Sequence, residues 1–168
     1  MSFDDEKALE TEHGLIDTLD LPLLKSAGGL VCNDAQHILL IFKRGKWDMP
    51  KGRVEISSDY EQEAMREVSE ETGLLPDKLS ITGTLPPTWH VTLYQGRHHL
   101  KKTTWYLMHY RGDDDDVVPQ IEEDIIECRW ICLSDLPQYR ELMRHRINYV
   151  IDFWHSNLAY SGRALSRG

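Results

Sequence analysis

The sequence lacks the features that would place it in a membrane, around a structural zinc ion or along a nucleic acid. No apolar run approaches the roughly 20 residues that a membrane-spanning helix needs. Cysteine is scarce: Cys32, Cys128 and Cys132 are odd in number and show no zinc-type spacing. Cys128 and Cys132 flank "RWI" in an expected strand, where a buried thiol is favoured over a ligand pair. Basic residues are outnumbered, 19 against 28 acidic ones, for a net charge of -9. That balance argues against a nucleic-acid backbone as the main partner. It leaves room for an anionic small molecule, because a bound divalent metal inverts the local field. The opening "MSFDDEKALE" is acidic where a secretory signal would be basic and then apolar, so a cytoplasmic location is expected.

What is present fits one soluble domain. The 168 residues suffice for a real core, and 40% hydrophobic with 28% charged residues is an ordinary globular balance. A homodimer is compatible with this composition.

Residues 1–24 read as an N-terminal extension that packs on the domain, 25–157 as the domain and 158–168 as a frayed tail. "AGGLVCND" and "HILLIFKR" are short β-rich runs around the turn-like "NDAQ", which reads as a hairpin. "GKWDMPKGRVEISS" is a loop. Ser58 and Glu61 make a capping-box pattern, and the helix that follows should run to Thr72 and stop at Gly73. "SITGTL", "WHVTLYQ", "TTWYLMHY" and "IECRWICL" are further β-type runs. A last helix should bury Leu142, Met143, Ile147, Val150, Ile151 and Trp154 along one stripe. The pattern is α+β.

The segment "REVSEETGL", residues 66–74, crowds Glu67, Glu70 and Glu71 onto one side of the first helix. Like charges at that spacing repel, and Arg66 offsets only part of the cost. A solvated surface helix is the ordinary reading of a Glu-rich stretch. Converging carboxylates are also the hard oxygen donors that Mg²⁺ or Mn²⁺ prefer. The wider pattern favours the second reading. "GRVEISSDYEQEAMREVSEETGL", Gly52 to Leu74, resembles the signature of the Nudix hydrolase family: Gly, five residues, Glu, seven residues, then Arg-Glu-aliphatic-any-Glu-Glu-any-Gly-aliphatic. Gly52, Arg66, Glu67, Val68, Glu70, Glu71, Gly73 and Leu74 fall in place. Ser58 stands where the family has its first Glu, and weakened or altered metal handling is expected from it.

The resemblance extends to the "GKWDMPKG" loop and the "KKTTWYLM" strand. It implies an α/β/α sandwich with a mixed sheet between helices. It also implies Mg²⁺-dependent hydrolysis (Mn²⁺ being the alternative ion) of a nucleoside diphosphate linked to another group. Glu67, Glu70 and Glu71, with the Lys51 backbone carbonyl, are then the expected metal ligands. Arg66 orients the carboxylates, and Gly52 lets backbone approach metal or phosphate closely. Family members often add an acid from a distant loop; here Glu123 is the favoured source and Glu122 the next, while "DDDD" at 113–116 reads as solvated.

Arg44, Lys51 and Arg53 are expected to meet phosphates, as is Lys102 of the pair Lys101 and Lys102, which strand alternation sends to opposite faces. Trp89 is a candidate for the base, although packing is the commoner role for Trp47, Trp89 and Trp105. The "PKG" loop with its basic neighbours looks like that of members acting on longer polyphosphates. Dinucleoside or related nucleoside polyphosphates are therefore the first expectation, and ADP-ribose or a nucleotide sugar the second. A module that holds a nucleotide without cleaving it is the alternative that Ser58 invites.

Overall fold

The computed structural model describes residues 10–11, 14–15, 20–55 and 59–165, with side chains from 20–55 and 59–157. Ser58, and with it the expected capping box, lies outside the described residues. The strands are β1 (Glu10–Thr11), β2 (Gly14–Leu15), β3 (Leu23–Cys32), β4 (Ile38–Lys43), β5 (Lys46–Asp48), β6 (Lys51–Arg53), β7 (Leu79–Thr84), β8 (Thr88–Tyr94), β9 (Arg97–Tyr110) and β10 (Ile125–Ile131). The helices are α1 (Tyr60–Thr72) and α2 (His145–Leu165).

β1 and β2 pair only with each other, and the other strands form one eight-stranded mixed sheet. Its spine is β3, which runs parallel to β9 from Leu23↔Leu100 to Cys32↔His109. The expected β3–β4 hairpin is a single bridge, Cys32↔Ile38, because β3 pairs instead with β9 and β6 while β4 pairs with β10 and β5. Two-residue alternation divides the apolar side chains between the two faces. Leu30, Cys32, Ile38, Leu40 and Trp105 join the core that includes Ile147, Val150, Ile151 and Trp154 of α2. Ala27, Val31, Leu39, Tyr106 and Met108 join the core that includes Ala64 and Val68 of α1. The fold is thus an α/β/α sandwich.

Several local expectations change. Leu142 is half exposed, because it sits in a short 3-10 turn ahead of α2 and not on its stripe. The C-terminal stretch is helical through Leu165. Of the three thiols Cys32 is buried, while Cys128 and Cys132 are half-buried. Asp113 to Asp116 are not simply solvated. They close a capped 3-10 turn, Asp114 accepts from the Asn33 amide at 3.0 Å, and Asp116 accepts from the Tyr110 hydroxyl at 2.5 Å. No helix among the described residues is long and apolar enough to cross a membrane.

Candidate active site

α1 carries the site and is capped at both ends. Asp59 is its N-cap, accepting from the Glu61 and Gln62 amides at 3.1 and 3.4 Å. It takes the role expected of Ser58 and satisfies amides that a helix start leaves unpaired. Gly73 ends the helix with φ 78, a left-handed conformation that glycine adopts without penalty. A side chain there would also strike Val118, 2.7 Å from the nearest backbone atom.

The segment expected to be a loop forms β5, a short link at Met49 and Pro50, and β6, which delivers backbone to the same helix. The Lys51 amide donates to the Glu71 carboxylate at 3.0 Å. Next to it, a Cβ on Gly52 would lie 1.9 Å from Glu67 Oε2. Glycine is therefore required where the Glu67 carboxylate crosses the strand.

Arg66 gathers the acids. Its guanidinium donates to Glu63 at 2.5 Å, to Glu67 at 2.9 Å and to Glu70 at 2.7 Å, and these acids hold its pKa above the usual value. With the carboxylates turned onto Arg66, no group of three His, Cys, Asp or Glu side chains among the described residues closes a metal shell by itself.

Burial raises the Glu67 carboxyl above its ordinary range. Burial pushes Glu71 up to about 7, against the pull of Lys51 and Lys43. A buried carboxylate that burial so disfavours is short of positive charge, and a divalent cation would supply it. The all-oxygen donor set, with the Glu67 carboxylate laid against the Gly52 backbone, fits Mg²⁺ or Mn²⁺.

These carboxylates form one side of a cavity of about 500 Å³. Its lining includes the acids Glu67, Glu70, Glu71 and Glu123 and the cations Lys43, Lys51, Arg53 and Lys101. Lys101 is pulled down to about 8, first by burial and then by Lys51 and Lys43. Of the acids before β10, Glu123 reaches the cavity and Glu122 does not line it. Gln120 brings this segment to the helix by donating its amide to the Glu71 carbonyl at 3.2 Å.

Three expected substrate residues lie elsewhere. Lys102 does not line the cavity; alternation along β9 turns Lys101 inward, and the Lys102 ammonium sits 5.6 Å from the Trp89 ring. Trp89 is outside the lining for the same reason, being the cross-strand partner of Lys102. Arg44 is exposed and paired with Asp124 at 3.1 Å. Lys43, one residue earlier, takes its place at the cavity.

Lys43 and Tyr94 were not anticipated as site residues. Tyr94 comes from the tip of the β8–β9 hairpin, where its ring lies 4.9 Å from the Arg53 guanidinium and its hydroxyl accepts from that group. Nothing local in the sequence joins residues so far apart in the chain.

A profile of the NUDIX domain matches residues 22–152. The chain belongs to the Nudix family. Among curated Nudix relatives, MutT4 of Mycobacterium tuberculosis (a mutator protein by its name) is 36% identical over 67% of this chain, which spans 47% of that protein. An RNA pyrophosphohydrolase of Roseobacter denitrificans is 28% identical over 69% of this chain and 81% of its own length. The solved Ap4A hydrolase of Caenorhabditis elegans shares the fold, with a TM-score of 0.60 at 23% identity over 81% of this chain and 98% of that one.

Proposed function

We propose that this Nudix protein is a divalent-metal-dependent hydrolase of phosphoanhydride bonds, acting on dinucleoside polyphosphates or related nucleoside polyphosphates. The observation that carries the reading is the mixed lining of one cavity, which brings the acids of α1 together with Lys43, Lys51, Arg53 and Lys101. A divalent cation held there would neutralise the diphosphate and stabilise the leaving group. Glu67, Glu70, Glu71 and the Lys51 carbonyl are its proposed ligands, and Glu123 is the acid contributed from outside the helix. Arg66 holds Glu67 and Glu70 in place until the cation competes for them. Arg53 and Lys101 bind phosphate oxygens beyond the cation. Several basic side chains around one cavity suit a chain of phosphates better than a single diphosphate.

The relatives named RNA pyrophosphohydrolase favour a second reading, hydrolysis at a pyrophosphate carried by RNA. The net charge of -9 counts against extended contact with the polynucleotide beyond that end. The test is a substrate panel at fixed Mg²⁺ with products identified by mass. It holds dinucleoside polyphosphates, nucleoside triphosphates, ADP-ribose, nucleotide sugars, diphosphoinositol polyphosphates and 5′-triphosphorylated RNA. Cleavage of the dinucleoside polyphosphates, lost in Glu67→Gln, is the expected result. Binding of a nucleotide without Mg²⁺-dependent cleavage of any substrate would replace this reading with a non-catalytic module.

A further inference from the structure

Lys51 ties the cavity lining to a buried ionic group with Asp48 and Arg146, whose side chains the proposed chemistry does not use. Asp48 ends β5 and is 3% exposed. Its Oδ1 accepts from the Met49 amide at 2.8 Å, while its Oδ2 accepts from the Lys51 ammonium at 3.2 Å and lies 3.5 Å from the Arg146 guanidinium. Arg146 belongs to the first turn of α2, so this carboxylate links the second helix to the loop that serves the first. Burial alone would raise the Asp48 carboxyl, and the two cations outweigh it and hold it well below the usual carboxylate range.

Lys51 therefore works at both ends. Its amide holds the Glu71 carboxylate, and its ammonium is drawn the other way, into the pair with Asp48. The ammonium is within the field of both acids; of the two, Asp48 acts on it more strongly than Glu71. A buried lysine without its counter-ion turns to the nearest remaining carboxylate, since leaving it unpaired is costly. Here Glu71, which lines the same cavity as Lys51 and accepts from its amide, is the other carboxylate whose field reaches the ammonium. A lysine seated on Glu71 would occupy the charge that a divalent cation needs.

We propose that Asp48 is a positioning residue that keeps the Lys51 ammonium off Glu71 and so leaves the Glu71 carboxylate free for a divalent cation. This rests on the reading of Glu71 as a cation ligand. Asp48 touches neither substrate nor cation in this scheme; it acts through Lys51. Were the ionic group only an anchor for α2, its loss would lower stability and leave cation affinity alone.

The test is Mn²⁺ binding to the full chain by calorimetry, with folding checked by circular dichroism. The variants are Asp48→Asn, Lys51→Met and the two combined. In Asp48→Asn, affinity should fall about ten- to a hundredfold, the range seen when groups that orient metal ligands are lost. The double variant, without the competing ammonium, should return to within a few-fold of wild type. Lys51→Met alone should bind Mn²⁺ as tightly as wild type or tighter, and this arm decides the matter if Asp48→Asn does not fold. An unchanged affinity in Asp48→Asn, no recovery in the double variant, or a tenfold loss in Lys51→Met would overturn the inference. Wild-type protein that bound no Mn²⁺ would overturn the reading of α1 and the inference together.

Discussion

The two helices cover opposite faces of one sheet and are held there by different means. α2 buries Ile147, Val150, Ile151 and Trp154 as an apolar stripe, with Arg146 buried beside it in the first turn. α1 buries Ala64, Val68, Glu71 and Thr72, so half of its buried positions are polar. The difference is made up by directed contacts. Glu71 takes the Lys51 amide, its carbonyl takes the Gln120 amide and the Thr72 carbonyl takes the Val118 amide at 2.7 Å. The Thr72 hydroxyl donates to the Val68 carbonyl at 2.6 Å. A helix that presents acids to a cavity gives up apolar area, and backbone hydrogen bonds fix its position instead. On the proposed function, α2 is the packing helix and α1 the chemical one.

Substitutions should separate the two. Trp154→Ala, 5% exposed in the wild type, should cost about 3–5 kcal/mol of stability through the cavity it leaves, measured by denaturant unfolding. Its turnover below the unfolding transition should be unchanged.

The counterpart on α1 is electrostatic. Burial holds Glu71 at about 7 instead of the ordinary 4.5, so the folded metal-free chain binds more protons than the unfolded chain between those values. Stability should be fully present below about pH 4.5 and fall as pH rises to about 7, by on the order of 3 kcal/mol. Saturating Mg²⁺ should restore much of it above pH 7 by binding the folded state. Unfolding curves from pH 4 to 8, with and without Mg²⁺, read this directly; a flat profile without metal would remove the asymmetry between the helices.

Gly52→Ala places a methyl against Glu67 Oε2. It should lower turnover by about a hundredfold, the order seen when one transition-state contact is displaced. The smallest effect is expected at the helix start: Asp59→Ala removes the cap that accepts from Glu61 and Gln62 and should cost about 1 kcal/mol, with turnover retained.

Much of this arrangement is readable from the chain itself. Period-2 alternation and turn residues mark the main strands. The spacing of Gly52, Arg66, Glu67, Glu70, Glu71 and Gly73 marks the acidic helix and its close approach to the loop. What the sequence hides is long-range or rotational. Alternation says that Lys101 and Lys102 part company but not which one meets the cavity; the register of β9 against β3, Leu24↔Lys101, decides it. Arg44 looks like a phosphate ligand until its positive φ of 51 turns it out to Asp124. Asp48 reads as one polar loop residue, and only the packing of α2 brings Arg146 to it. The acidic run at 113–116 looks solvated because the sequence does not show its partners, Asn33 just after β3 and Tyr110 at the end of β9.

If chemistry belongs to α1 and packing to α2, one substitution in each helix should have opposite effects on turnover. The most direct test is the Mg²⁺-dependent turnover of a dinucleoside polyphosphate by Glu70→Gln and Trp154→Ala, side by side, at a temperature where circular dichroism shows both folded. The account predicts at least about a hundredfold loss in Glu70→Gln and near wild-type turnover in Trp154→Ala. Equal turnover in the two variants, or loss confined to Trp154→Ala, would contradict it.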